Sequence, residues 1–273
     1  MGGGILQVVA IGAQDTYLTG NPQITFFKAV YRRHTNFSIE SVKQTLNGTA
    51  NFGQEINCTI QRNGDLISRA YFQTTLPSID VGYGITDNTR FNAFRWLNYI
   101  GHILIKEVEI SIGGSRIDKQ YGEWFHIWNE LSQSYGKKSG YSEMVGNVPK
   151  LSHIYSTNSP SSKTECKTDE YTLYIPLEFW FCRNPGMALP HIALQYHDVI
   201  INMELRTLDE CIWATTQTRN TNGTLNFKPT STGSNVLNSS AIQLSKSSIY
   251  IDYIYLDTDE RRRFAQVPHE YLI

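Results

Sequence analysis

Apolar residues along this chain fall mainly at every second position. In Val108-Glu109-Ile110-Ser111-Ile112 the hydrophobic side chains alternate with polar ones, which places one face of an extended segment on a core and the other in water. Val199, Ile201, Met203 and Leu205 repeat the pattern, with Asn202 and Glu204 between them. The run Ile249-Tyr-Ile-Asp-Tyr-Ile-Tyr-Leu256 is rich in branched and aromatic residues, which suit a pleated surface packed on at least one side. Further strands are predicted over Ser38–Leu46, Asn51–Arg62, Leu66–Leu76 and Tyr171–Leu177. Between two of them, Arg62-Asn63-Gly64-Asp65 carries an Asn-Gly pair, a hairpin signal because both residues tolerate positive φ.

Two segments follow a helical period instead. Asn21 fits an N-cap and Pro22 a first-turn position, after which Phe27, Val30 and Tyr31 share one face of a short helix. Over Gly122–Tyr135, Trp124, Ile127, Trp128 and Leu131 recur at spacings of three and four, a stripe suited to packing on a sheet. Long polar connections span Pro77–Arg95, Gly136–Glu170 and Thr207–Ser240, lengths that mark exposed functional segments. Short alternating strands, long loops and few helices predict an all-β fold, an antiparallel sandwich. Strand pattern alone leaves jelly-roll, immunoglobulin-like and lectin sandwiches open.

The composition narrows the function classes. The 273 residues include 16 tyrosines, 12 phenylalanines and 5 tryptophans, too aromatic for a disordered tail. Charged residues are 18% and the net charge is -1, so no global field draws the chain to nucleic acid or an anionic membrane. The N-terminus, Met1-Gly2-Gly3-Gly4-Ile5-Leu6, lacks the pattern of a secretory signal, and Leu6 breaks the myristoylation pattern. Cys58, Cys166, Cys182 and Cys211 are scattered without a CxxC pair, which reads as reduced thiols in a reducing compartment. Sequons occur at Asn36, Asn47, Asn57, Asn222 and Asn238. They are candidate glycosylation positions, but without a secretory signal pattern they read as coincidences of an Asn/Ser/Thr-rich composition rather than glycan sites.

Catalytic patterns are sparse. Glu123, His126 and Glu130 could share a helix face, but the adjacent apolar stripe turns them to solvent. A metal site needs three or four convergent ligands. His197 and Asp198 are neighbours in a predicted strand, so they point to opposite sides and form no dyad; His197 reads as a structural histidine. No HExxH, phosphate loop or GxSxG occurs. No cofactor, metal or catalytic residue is predicted. Two basic clusters remain, Lys28 with Arg32 and Arg33, and Arg261-Arg262-Arg263, the second flanked by Asp257, Asp259 and Glu260. Both read as salt-bridging segments rather than nucleic-acid contacts.

Longer strings carry a resemblance. Gly12-Ala-Gln-Asp-Thr-Tyr-Leu-Thr-Gly-Asn-Pro-Gln-Ile-Thr-Phe-Phe-Lys28 and Val30-Tyr-Arg-Arg-His-Thr-Asn-Phe37 open the chain. Arg62-Asn-Gly-Asp-Leu66, Tyr174-Ile-Pro-Leu-Glu-Phe-Trp-Phe181, Arg183-Asn-Pro-Gly186, Ala188-Leu-Pro190, Ala193-Leu-Gln-Tyr-His197 and Leu256-Asp-Thr-Asp-Glu-Arg-Arg-Arg-Phe-Ala-Gln266 follow in order. Together with Asn47-Gly-Thr they resemble the major capsid proteins of nucleocytoplasmic large DNA viruses, the phycodnavirus, iridovirus and mimivirus-like groups. One local departure is His191, where the family string has an apolar residue.

The resemblance implies an eight-stranded jelly roll over residues 38–256, preceded by an N-terminal arm with a short helix (1–37) and carrying one inserted helix. It also implies homotrimeric, pseudo-hexagonal capsomers tiling an icosahedral shell, in contact with neighbouring capsomers, minor capsid proteins and an internal membrane layer. The implied location is the virion capsid, assembled in the host cytoplasm. Assembly contacts are expected from Asn21, Pro22, Phe27, Tyr31, Arg32 and Arg33 in the arm, and from Arg261, Arg262 and Arg263. Family members continue into a second jelly roll, so residues 257–273 read as the linker of a fragment; a shortened single-roll relative is the alternative. Two other functions compete with the shell: a glycan-binding jelly roll for host attachment and a cupin-like metalloenzyme.

Overall fold

The computed structural model describes residues 36–80, 90–156, 167–219, 225–229 and 242–271. The expected N-terminal helix and arm, with Asn21, Pro22, Phe27, Tyr31, Arg32 and Arg33, lie outside these residues, as do Asn222, Asn238 and Cys166.

Strands are β1 (Phe37–Gln44), β2 (Glu55–Thr59), β3 (Leu66–Leu76), β4 (Ile79–Asp80), β5 (Arg90–Trp96), β6 (Ile105–Ile112), β7 (Ser115–Tyr121), β8 (Tyr155–Ser156), β9 (Lys167–Thr168), β10 (Tyr171–Pro176), β11 (Val199–Leu205), β12 (Ile212–Arg219), β13 (Leu225–Pro229) and β14 (Ser245–Leu256). Helices are α1 (Ile100–Leu104), α2 (Gly122–Ser132), α3 (Tyr135–Met144), α4 (Pro149–Ser152), α5 (Leu208–Cys211) and α6 (Thr258–Gln266).

Eight of the strands form two four-stranded sheets, ordered β1-β14-β3-β10 and β2-β11-β6-β7. The chain passes from one sheet to the other between β1 and β2, β2 and β3, β3 and β6, β7 and β10, β10 and β11, and β11 and β14, which is the strand exchange of a jelly roll. The described pairings within both sheets are antiparallel. The expected all-β antiparallel jelly-roll sandwich is therefore observed.

Alternation explains the register. Val199, Ile201, Met203 and Leu205 are all buried, with half-buried residues between them. They pair across to Ile112, Ile110, Val108 and Ile105. The pairing skips Lys106 at Glu204/Leu205, so a bulge turns both Ile105 and Val108 inward although they are three apart. The β6–β7 turn puts Gly113 at φ 58° and Gly114 at φ 83°, the positive values that a two-residue hairpin needs.

The Asn63-Gly64 signal has a different cause from the one its type suggested. β2 pairs with β11 whereas β3 pairs with β10 and β14, so the segment crosses between sheets and joins no hairpin. A Cβ on Gly64 would lie 2.6 Å from the Cβ of Tyr253. Close approach to that buried ring, not turn geometry, selects glycine.

The long polar connections are structured in part. Pro77–Arg95 contains β4 and most of β5, and Thr207–Ser240 contains α5, β12 and β13. With β8 these build a third sheet, β13-β12-β5-β8, anchored by Phe94 and Trp96, whose rings meet edge-on at 5.9 Å. Gly136–Glu170 holds most of α3, with α4, β8 and β9, so among the described residues of the roll the one inserted helix that was expected, α2, is joined by four more, α1, α3, α4 and α5. α2 itself stops at Ser132 rather than Tyr135.

The α2 stripe also faces the other way. Gly122, Phe125 and Asn129 are the buried positions, while Trp124 and Trp128 are half-buried and Ile127 and Leu131 exposed. His197 and Asp198, expected inside a strand, instead precede β11 in an exposed turn, where the His197 ring lies close against Gly113 of the β6–β7 turn.

Candidate assembly surfaces

The corner where β3 begins and β14 ends gathers several singled-out residues. Asp65 is buried; its Oδ2 accepts from the Leu256 amide at 2.8 Å and its Oδ1 pairs with the Arg261 guanidinium at 2.9 Å. Asp257 caps α6 by accepting from the Thr258 amide. Phe264 on the same helix packs on Leu66, Ala188 and Ile254 at the outer face of the first sheet. Beyond α6 the Tyr271 hydroxyl donates to the Ala188 carbonyl at 2.9 Å. Segment 257–271, anticipated as a linker, is thus tied to the roll. Arg261 supplies that tie, Arg263 lies 3.9 Å from Glu260, and Arg262 is exposed.

Beside the corner is a cavity of about 400 Å³, lined in part by Arg62, Asp65, His191, Gln195 and Arg261. Arg62 donates to the carbonyls of Gln195 and His197. His191 is 2% exposed, and neither ring nitrogen has a hydrogen-bond partner among the described residues. Burial, helped by the Arg62 charge, lowers its pKa to about 4, so the ring is neutral at physiological pH. The neutral imidazole is thus buried without a hydrogen-bond partner among the described residues.

A second corner joins α1 and α2. Tyr99 sits in the left-handed region at φ 54°, and its ring stacks on His102 at 5.5 Å and meets His126 edge-on at 4.8 Å. His102 Nε2 lies 2.8 Å from the Tyr141 hydroxyl. Burial, then the neighbouring His126, lowers the His102 pKa to about 4. A Cβ at Gly122 would come within 2.3 Å of the His102 and Ile105 carbonyl oxygens, so only glycine lets α2 start here. The corner encloses about 380 Å³, bordered by Tyr99, His102, Ile103, His126, Ile127 and Arg206 among others. Glu123 pairs with Arg206, and Glu130 with Lys138 at 2.9 Å.

Asn36, Asn47 and Asn57 are exposed. The Asn47 side-chain amide donates to Asn57 Oδ1 at 2.9 Å, so these two sequons lie side by side. Burial pushes the Cys58 thiol up to about 11 and Cys211 to about 12, which suppresses thiolate chemistry. Among the described residues no group of three or more His, Cys, Asp or Glu could hold a metal ion. What the molecule presents is surface: exposed Phe37 and Ile39 on β1, Tyr196 in the turn before β11, and Ile127, Leu131 and Tyr135 along α2 and the start of α3. Sequence reasoning missed the Tyr99–His102–Tyr141 cluster because its members come from three separate segments with no shared spacing.

The comparisons agree on one family. The family described as "Major capsid protein N-terminus" matches residues 25–257. The chain is 48% identical over 286 residues to the major capsid protein of Phaeocystis pouchetii virus, covering all of this chain and 52% of the relative. It is 50% identical over 273 residues to that of Pyramimonas orientalis virus, covering all of this chain and 58% of the relative. In a quasi-atomic structure of the PBCV-1 virus capsid, a chain 34% identical matches with a TM-score of 0.63 over 90% of this chain and 49% of its own length. The chain spans about half the length of the curated relatives it matches. With residues 25–257 and the jelly-roll strand order both accounted for, this chain belongs to the viral major capsid protein family, in its N-terminal portion.

Proposed function

We propose that this chain is a structural component of a viral capsid, the first jelly roll of a shell subunit, and carries out no catalysis. The observation that carries the reading is the family match along the full chain. In this reading the chain resides in the virion, after assembly in the host cytoplasm. Copies associate as homotrimers of pseudo-hexagonal outline that tile an icosahedral outer shell. Their partners are neighbouring capsomers, minor capsid proteins and the internal membrane layer, with no direct nucleic-acid contact. The arm residues and the Arg261–Arg263 cluster contribute to those contacts.

The physical properties suit that role. A net charge of -1 lets identical copies approach without strong repulsion. Two packed sheets form a stiff scaffold, and the inserted third sheet and helices give it contact surface. Light-scattering mass of the purified chain tests the reading. A mass three times the 31.1 kDa of one chain is expected, whereas a monomer persisting at high concentration overturns it.

A further inference from the structure

Between α2, α3, β3 and the segment after β10 lies a cleft of about 590 Å³. β3 contributes Arg69 and Tyr71, α2 Trp128, α3 Lys137, and the stretch beyond β10 Glu178 and Arg183. Among the described residues none of these three cations is in an ion pair. Arg69 lies opposite Asp252 on β14, and its guanidinium donates to the Tyr71 hydroxyl at 3.5 Å. Arg183 sits 4.6 Å over the Trp128 ring, which Trp124 flanks at 5.8 Å. Both guanidinium groups are therefore positioned before any ligand arrives, which lowers the ordering cost of binding.

Glu178 supplies the one carboxyl among the described residues lining the cleft. Its side chain is half-buried and makes no hydrogen bond or ion pair with another described residue. Burial, opposed by Arg183 and Arg69, pushes that carboxyl up to about 7. Charge in the cleft is therefore positive at neutral pH and more so in mild acid.

We infer that this cleft is a binding site for a small organic anion, a sulfate, phosphate or carboxylate group carried on an apolar body. The walls fit the body: Tyr71, Trp128 and Met144 give aromatic and apolar contact, and the volume falls within the roughly 300–1,000 Å³ of small-molecule sites. The cations fit the anion, since a planar guanidinium presents paired N–H donors to an oxyanion. Lys137 adds positive charge at the exposed edge, and a cationic ligand would meet repulsion from all three.

Glu178 gives the site a signature. The other titratable groups at the cleft are Tyr71 on β3, Tyr141 on α3 and Cys182 beyond β10, while α2 brings Trp128, Ser132 and Gln133 without charge. Burial raises both Tyr141 and Cys182, so between pH 6 and pH 8 Glu178 is the group that changes charge. Below about pH 7 its neutral acid can donate to the anion, and above that its carboxylate repels it.

Calorimetric titration of the full chain tests this with inorganic sulfate, phenyl sulfate, and benzyl alcohol as a ring without the charge. Phenyl sulfate is expected to bind at a single site, sulfate at least about tenfold more weakly, and benzyl alcohol not measurably. Arg69→Gln and Arg183→Gln are each expected to weaken phenyl sulfate about tenfold or more, while Lys150→Gln, outside the cleft, binds like the wild type. Sulfate esters stay ionised throughout, so wild-type binding is expected to be tighter at pH 6 than at pH 8, and Glu178→Gln to bind equally at both. Each variant is checked for a native near-UV circular dichroism spectrum, and Lys137→Gln stands in for an arginine variant that loses it. A wild type that binds neither anion overturns the inference, and so do folded arginine variants that bind like the wild type. Sulfate that binds as tightly as phenyl sulfate overturns the organic body, and binding independent of pH overturns the part given to Glu178. The assembly reading stands or falls separately, on the mass of the purified chain.

Discussion

Single residues in this protein are chosen by what lies opposite them rather than by their own preferences. Gly64 is fixed by the Tyr253 ring and Gly122 by two carbonyl oxygens. His191 is the clearest misfit, a buried imidazole with both nitrogens unpaired. Replacing it by Leu removes an unsatisfied polar group and is expected to stabilise the fold by about 1–3 kcal/mol at neutral pH. The gain is expected to grow in acid. His191 titrates near 4 when folded and about 6.5 when unfolded, so the unfolded chain binds the extra proton between those values. The stability contributed by the neutral ring is complete above about pH 6.5 and is lost as pH falls toward 4. The unfolding free energies of wild type and His191→Leu from urea titrations should therefore diverge by a further ~2 kcal/mol between pH 7.5 and pH 5. Taking the difference between the two proteins cancels Glu178, whose carboxyl is pushed up to about 7, chiefly by burial, and acts in the opposite sense. A constant difference across this range would show that His191 is not held neutral. Val108, fully buried in β6, gives a harsher test. Val108→Asp places an unpaired charge in the core and is expected to cost about 3–5 kcal/mol, read as a lower melting temperature; wild-type melting would show that this face is not inward.

Elements differ in how legibly the sequence announces them. β6, β11 and β14 are plain because strict alternation has only one structural solution when one face is buried. The sheet built from β5, β12 and β13 hides at the ends of long polar connections, although it contributes Phe94, Trp96, Ile212 and Ala214 to the core. α3, with the sequence Tyr-Gly-Lys-Lys-Ser-Gly-Tyr-Ser-Glu-Met, has poor helix formers and only Tyr141 buried, so it reads as a loop. α2 is legible as a helix but not in its facing. Its buried positions include Gly122 and Asn129, which no hydrophobic count selects, while its most apolar side looks outward. α6 makes the same point by charge: its tie to the roll is the Arg261–Asp65 pair, joining distant parts of the chain. Asp65→Asn should loosen that helix by about 1–2 kcal/mol, a modest figure because Arg261 is half exposed. Faster amide exchange over residues 258–266 with an unchanged rate in β11 would report it, and unchanged exchange in both would show that Phe264 packing alone holds the helix. Among the described residues the buried hydrophobic core begins at Ile56. Deleting residues 1–37 is therefore expected to leave the sandwich folded, by circular dichroism, while impairing association; loss of folding would contradict the arm assignment.

At the scale of the molecule the sandwich was readable from periodicity and its family from long matching strings, whereas its surfaces were not. Contacts between copies are made by side chains whose exposure depends on packing between distant segments, and no spacing rule encodes that. The central claim is that the two packed sheets are the frame of a shell subunit. Cryo-electron microscopy of assembled particles tests this most directly. The expected result is a shell whose subunit density contains the sheets β1-β14-β3-β10 and β2-β11-β6-β7. A shell built of some other fold would contradict it.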